Sequence, residues 1–260
     1  MSEPFLDLDG LNVLVGQTSL LHDVSFALSK GEVLCVIGES GSGKSTLLKA
    51  LHGLMPATCR RFCFAPAKLD VTGHMRETIG LPGTRWVMQD PLAALTPRQS
   101  LGISIGESLH RQSLSVAARK DAVLKALAQV NLGAEFHDRR PGEVSLGQAH
   151  RACLARALIA QPDLIFFDEP LSALDALVQK KIALRMDLLR QHTRAAYVIV
   201  THDIGFAESY ADQILVLKEG RVEAYQPRED FFDQPASAYA TALLAAAAAL
   251  GALRKTEAAA

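Results

Sequence analysis

Cysteine is scarce in this chain of 260 residues: Cys35, Cys59, Cys63 and Cys153 are four, too few at this length for a disulfide framework. An excess of either charge is also missing. Lysine and arginine number 27 against 28 acidic residues, a formal net of −1, so no overall field draws in nucleic acid or an anionic membrane. Long hydrophobic runs are absent too. The most membrane-like stretch, Ala240 to Leu253, falls short of the ~18 apolar residues that a span requires, and alanine is a weak lipid-phase residue. It is expected either to pack on the domain as a C-terminal helix or to lie free at its end. The start, Met-Ser-Glu-Pro-Phe, has neither a basic n-region nor an apolar h-region, so no secretory signal and a cytosolic chain are expected.

What is present is ordinary for a folded protein: 49% apolar and 21% charged residues, which excludes intrinsic disorder. The length suits one large domain or two small ones at ~100–200 residues each. Residues 5–37 alternate as strands: Leu6, Leu8, Leu11, Val13 and Val15, a turn at Gly16, then Leu21 to Leu28, and a short all-apolar run ending at Ile37. A helix is expected from Thr46 to Leu54, irregular chain over 55–83, and a short strand from Arg85 to Gln89. The period turns helical from Ser104 to Val130 and again from Leu146 to Ala160. Strands at Leu164–Phe167, Tyr197–Val200 and Ile214–Leu217 then alternate with helices at Gln179–Arg190 and Ile204–Tyr210. Alternation of this kind points to a parallel α/β sheet.

Gly38-Glu-Ser-Gly-Ser-Gly-Lys44-Ser45 fits G-x-x-x-x-G-K-[ST] and stands between a buried strand and a helix, the context that motif requires. Its glycines let backbone N–H groups curl round phosphate oxygens, and the helix adds its positive N-terminal end. Lys44 suits the β- and γ-phosphates, and the Ser45 hydroxyl suits Mg²⁺. Four apolar residues ending in Asp168-Glu169 place Asp168 at the C-terminal edge of a strand, where α/β sheets bind ligands. There Asp168 can hold the metal and Glu169 can polarise an attacking water.

With Gln89, Ser145-Leu-Gly-Gln148, Ser172-Ala-Leu-Asp175 and His202 following in this order, the chain resembles the ATP-binding subunit of ABC transporters over nearly its whole length. The resemblance implies an α/β fold: a P-loop NTPase core with an N-terminal antiparallel β subdomain and an inserted α-helical subdomain. It implies one ATP-binding domain over 1–235, the helical part at about 98–160, and an alanine-rich helix or tail over 236–260. ATP and Mg²⁺ are the implied cofactors. Gly38, Ser40, Gly41, Ser42, Gly43, Lys44, Ser45 and Thr46 would hold nucleotide, and Ser45, Gln89 and Asp168 the metal. Glu169, Gln89 and His202 would be catalytic, His202 as the switch histidine on the γ-phosphate. Ser145, Gly147, Gln148 and Asp175 would complete the site of an opposing subunit.

Val144 and Leu146 depart from the family's L-S-G-G-Q signature. The bulk of Leu146, and its restriction of φ where the family has glycine, imply impaired rather than abolished activity. The aromatic residue that stacks on adenine is replaced by Leu14-Val15-Gly16, which offers apolar contact without π-stacking. Cys59 and Cys63, without His or further Cys nearby, read as ordinary thiols before a metal pair.

Met88-Gln-Asp-Pro-Leu-Ala-Ala-Leu-Thr-Pro97 and the tail Gln234-Pro-Ala-Ser-Ala-Tyr-Ala-Thr-Ala-Leu-Leu resemble the peptide/nickel importer subfamily. The implied function is an ATPase that energises import of a peptide, nickel or similar small solute. Its implied partners are a second ATP-binding subunit, identical or related, and membrane permease subunits docking near Gln89, with a solute-binding protein acting indirectly. That puts the chain on the inner face of the cell membrane through the permease, with no role for nucleic acid. The competing expectation is a soluble ABC-type ATPase of a multi-enzyme or assembly complex, without a permease.

Overall fold

The computed structural model describes residues 5–75, 81, 83–110, 112–172 and 174–253. Ala173 of the Ser-Ala-Leu-Asp segment and residues 254–260 of the expected tail lie outside these. In chain order the structure has β1 (Leu6–Val15), β2 (Thr18–Leu28), β3 (Val33–Ile37), α1 (Lys44–Leu51), β4 (Ala57–Phe64), β5 (Leu69–Met75) and β6 (Thr84–Val87). Next come α2 (Pro91–Ala94), α3 (Leu101–Gly106), α4 (Val116–Gln129), α5 (Leu146–Leu158), β7 (Leu164–Asp168) and α6 (Ala176–Thr193). Last are β8 (Ala196–Val200), α7 (Ile204–Tyr210), β9 (Gln213–Lys218), β10 (Arg221–Pro227), α8 (Arg228–Asp233) and α9 (Ala238–Ala249). The chain forms two compact units, one from Met1–Gly83 with Ala196–Ala260, the other Thr84–Ala195.

The first unit carries an antiparallel sheet in the order β2-β1-β4-β5. Strands β4 and β5 correct the expectation of irregular chain over 55–83. Ala57, Cys59, Phe62 and Phe64 point inward, while the neighbours Arg60 and Arg61 are both exposed. A register shift between Cys59 and Phe62 slips the period of two by one residue, which hides the strand from a reading by alternation. Phe62 and Phe64 are fully buried, each contributing roughly 1.5–3 kcal/mol, and Phe5 meets Phe64 edge-on at 5.3 Å. Cys59 is buried and Cys63 partly so, both in β4.

The same unit holds a mostly parallel sheet whose strands run β10-β9-β3-β8. All five residues of β3 and of β8 are buried, as parallel strands covered on both faces should be. Strand β10 pairs antiparallel with β9 at the edge, and its mixed, half-exposed residues gave no apolar signal to read. Tyr225 of β10 ties this sheet to β2: its hydroxyl donates to the Ala27 carbonyl at 2.5 Å and accepts from the Ala27 amide. Helix α9 packs on the unit rather than lying free. Ala240, Leu244 and Ala247 form its buried stripe, and the Ala252 carbonyl lies 2.3 Å from where a Cβ on Gly205 would be.

In the second unit β6 and β7 pair in parallel, with Val87 opposite Phe167. Helices α2, α3 and α4 pack on α5, whose Ala149, Ala152, Cys153 and Leu154 are buried. The Cys153 Sγ donates to the Pro91 carbonyl at 3.6 Å, and burial pushes that thiol up to about 11. The helical stretch expected from Ser104 to Val130 is interrupted. Helix α3 ends at Gly106, and Ser115 starts α4 afresh by accepting a hydrogen bond from the Ala118 amide. Among the described residues, no helix is long and apolar enough to cross a membrane.

Candidate nucleotide-binding and hydrolysis site

The phosphate-loop motif occupies the step between β3 and α1 in the first unit. Gly38 takes φ +151°, and a Cβ there would stand 2.1 Å from the Leu217 carbonyl oxygen, so no larger residue fits without moving β9. Gly43, at φ +104°, caps α1 and packs so closely on Leu21 that a Cβ would fall 2.7 Å from its side chain. Lys44 is the first residue of α1 and only 8% exposed. Its Nζ donates to the carbonyls of Gly38 at 2.8 Å and Glu39 at 2.7 Å, which arches the loop over the ammonium. Ser42 is buried within the arch, while Ser45 and Thr46 are half-exposed on the first turn of α1, a helix with no acidic residue in that turn to compete with an anion.

A turn much later in the chain braces this loop. Gly220 donates its amide to the Ser42 carbonyl at 3.0 Å and accepts from the His22 amide at 2.8 Å. Glu219 and Gly220 both have positive φ, the form that a two-residue hairpin turn between β9 and β10 demands. Sequence reading passed over this brace, although the Glu-Gly pair after an apolar strand is the turn signal that could have found it.

His202 follows β8, the parallel neighbour of β3, with Val36 opposite Val200. The phosphate loop and His202 therefore leave adjacent strands at the same sheet edge. His202 is exposed; Thr201 Oγ1 accepts from the Asp203 amide at 3.0 Å, and Asp203 caps α7 by accepting from the Phe206 amide at 2.9 Å. At the tip of the β1–β2 hairpin Leu14 is 59% and Val15 47% exposed, aliphatic where a stacking ring was found missing.

The remaining candidates lie in the second unit. Asp168 ends β7 and is 7% exposed; Glu169 follows in the left-handed region at φ +49°, rare for a residue with a side chain. Because β6 and β7 are parallel and in register, Gln89 and Glu169 emerge two residues past the paired Val87 and Phe167. They meet there: Gln89 Nε2 donates to Glu169 Oε2 at 3.2 Å. The Ser172 hydroxyl donates to the Glu169 carbonyl at 3.0 Å and steadies the turn.

Ser145 and Gln148 cap α5 reciprocally. The Ser145 hydroxyl accepts from the Gln148 amide at 3.3 Å and Gln148 Oε1 accepts from the Ser145 amide at 2.9 Å. Leu146 is the first helical residue and is not in the left-handed region, so the expected restriction of φ has no cost there; its side chain is 50% exposed. Arg151 reaches back to Gly147 and on to the Asn131 carbonyl at 2.7 Å, and burial lowers its pKa. Asp175 caps α6 by accepting from the Val178 amide at 3.0 Å.

Ser45 in the first unit, and Asp168 and Gln89 in the second, each carry a hard oxygen donor of the kind Mg²⁺ prefers, and the Asp168 carboxylate is drawn out of solvent.

Residues 21–172 match the family described as ABC transporter. The chain is 36% identical over 230 residues to a probable peptide ABC transporter ATP-binding protein of Sinorhizobium fredii, covering 87% of this chain but only 65% of that protein's length. A di/tripeptide transport ATP-binding protein of Pseudomonas aeruginosa is 36% identical over 236 residues, 90% of this chain and 73% of that one. Among solved structures, a dimeric bacterial ABC transporter cassette aligns with a TM-score of 0.75 at 26% identity, covering 86% of this chain and 98% of that one. The CbiO1 subunit of Clostridium perfringens, part of an ABC transporter complex, aligns at 0.76 over 90% and 93%, and at 24% identity it speaks for the fold alone.

Proposed function

The chain belongs to the ABC transporter family, and from that premise we propose that it binds and hydrolyses ATP to energise import of a peptide or similar small solute. The observation that carries the catalytic part is the contact of Gln89 with Glu169 at the end of two parallel strands. It holds a carboxylate beside an amide where an attacking water needs a proton acceptor and an orienting group. The buried Lys44 beneath the glycine arch carries the binding part.

In this reading Gly38 to Thr46 wrap the triphosphate, and Lys44 exchanges the carbonyls of Gly38 and Glu39 for phosphate oxygens. Ser45, Asp168 and Gln89 would hold Mg²⁺, which supplies neutralisation of charge on the β- and γ-phosphates when bound. Glu169 accepts the proton of water, and His202 donates to the γ-phosphate. Ser145, Gly147, Gln148 and Asp175 serve the nucleotide of a second ATP-binding subunit, identical or related. Residues 1–235 act as one ATP-binding domain, with the helical part near 98–160 and Gln89 taking up the permease. The chain works at the inner face of the membrane through that permease and serves a solute-binding protein only indirectly. Peptide is preferred over nickel because the relatives are named for peptides.

The test has two readouts. Purified chain should release phosphate from MgATP, and Lys44→Ala should not; a wild-type chain that binds no ATP overturns the assignment. Cells lacking the gene should lose uptake of labelled dipeptides, and unchanged uptake would remove peptides as the solute class.

A further inference from the structure

Three of the four leucines of α6 point into solvent. Leu177 is 76% exposed, Leu184 52% and Leu188 47%, while Ile182, Ala183 and Met186 on the opposite side of the helix are buried. Single exposed leucines are ordinary on a protein surface, but these three are aligned. At 3.6 residues per turn, their spacing of seven and then four keeps them within about 40° of one line, over roughly 16 Å of helix. That is the a/d spacing of a helix-pairing seam. Leu177 and Leu184 stand at d, Leu188 at a, and Lys181 at the a position between the first two.

The margins of the seam are basic. Lys180 falls at g and Arg185 at e, both exposed, and Lys181 is exposed within the seam itself. Asp187 is the only acidic residue of α6, and it is already held by Arg190 Nη2 at 2.8 Å and Gln191 Nε2 at 2.9 Å. Three cations thus border the leucines with no acid left on their own helix to neutralise them. A second α6 laid along the first, in either direction, would set Lys180 and Arg185 against cations, so charge rejects a copy of this chain. A bilayer is a poor match too, because an interfacial helix sinks a broad apolar face and this strip is narrow. The occupant that fits is one helix with an apolar seam and carboxylates along its margins.

We propose that the exposed face of α6 is a docking surface for an acidic amphipathic helix of a partner protein. Its apolar seam packs on Leu177, Leu184 and Leu188, and its carboxylates pair with Lys180, Lys181 and Arg185. The inference goes beyond the ATPase reading and does not rest on it, since none of these six residues belongs to the proposed nucleotide site.

The experiment follows the fluorescence anisotropy of a dye-labelled synthetic helix on titration with the full chain. The acidic probe carries leucine along its seam, glutamate at one central seam position and glutamate at every e and g. A second probe has lysine in place of each glutamate. Wild type should bind the acidic probe at least about tenfold more tightly than the basic one. Lys181→Glu with Arg185→Glu should weaken binding of the acidic probe at least about fivefold and strengthen binding of the basic one, with ATPase activity unchanged. Leu184→Ser with Leu188→Ser should weaken the acidic probe at least about tenfold. All four positions are exposed, so both variants should melt as wild type does, and Lys181→Glu alone carries the same signs should either fail to fold. Equal binding of the two probes, binding of neither, or an acidic-probe affinity unmoved by the α6 substitutions would overturn the proposal. So would either rival occupant: self-association in sedimentation velocity that Leu184→Ser with Leu188→Ser abolishes, or co-sedimentation with phosphatidylglycerol vesicles lost in the same variant.

Discussion

Gln89 donates to Glu169 across 3.2 Å because each stands two residues beyond a paired position of β6 and β7. That amide can orient the carboxylate but cannot take a proton for it. Glu169→Gln should therefore keep ATP affinity within about threefold and lower turnover by at least ~100-fold, the usual yield of a positioned base. Single-turnover phosphate release beside equilibrium binding checks this; wild-type turnover would remove Glu169 as the base.

Lys44 bridges two carbonyls of its own loop, a position from which a phosphate can displace it. Lys44→Ala should weaken ATP binding at least about 30-fold, as expected when one member of a buried charged contact is lost. Calorimetric titration gives the number, and a loss under threefold would contradict the site.

Gly38→Ala tests the packing of the loop on β9. The new methyl would fall 2.1 Å from the Leu217 carbonyl oxygen, in a φ region that side chains rarely adopt. The expected cost is about 2–4 kcal/mol, with ATP binding lost as the loop shifts. Unchanged melting and binding would show that β9 yields freely.

Leu146→Gly restores the signature's glycine. The position is helical, so the gain comes from removing a half-exposed side chain, set against up to ~1 kcal/mol of helix propensity. Turnover per ATP site should rise severalfold while melting falls slightly. Unaltered turnover would make Leu146 neutral for the composite site.

His150 is fully buried in α5, with no hydrogen-bond partner for either ring nitrogen among the described residues, and burial lowers its pKa. The unfolded chain thus binds a proton near the ordinary histidine pKa of about 6.5 while the folded chain declines it. Stability is complete above that pH and falls as pH drops below it, towards the lowered folded value. His150→Leu should remove this part of the acid loss, seen as a smaller fall in melting temperature between pH 7.5 and 5.5. Equal falls in both proteins would refute the assignment.

The parallel strands and their loops were legible because buried runs such as Val33–Ile37 and Leu164–Phe167 end in residues of unmistakable chemistry. Strands β4 and β5 were not, since the Arg60-Arg61 pair breaks the alternation by one step. Nor was the bracing of the loop by Gly220: the Glu219-Gly220 pair marks a turn, but nothing local to it says that the turn comes back to Ser42. Gln89 could be named from its place in an ordered set of motifs, but its partner came from strand register alone.

The hold of Gly220 on Ser42 has a consequence for how the protein is made. Synthesis runs from the N-terminus, and domains fold as they emerge. The glycine-rich loop leaves the ribosome before the whole of the second unit, and its clamp only after that unit. The unit from Thr84 to Ala195 is contiguous and emerges whole in the interval, whereas the first unit must wait for its returning strands. A nascent chain that has not yet reached Gly220 therefore carries the glycine-rich loop without the hydrogen bond that ties Ser42 to the β9–β10 turn.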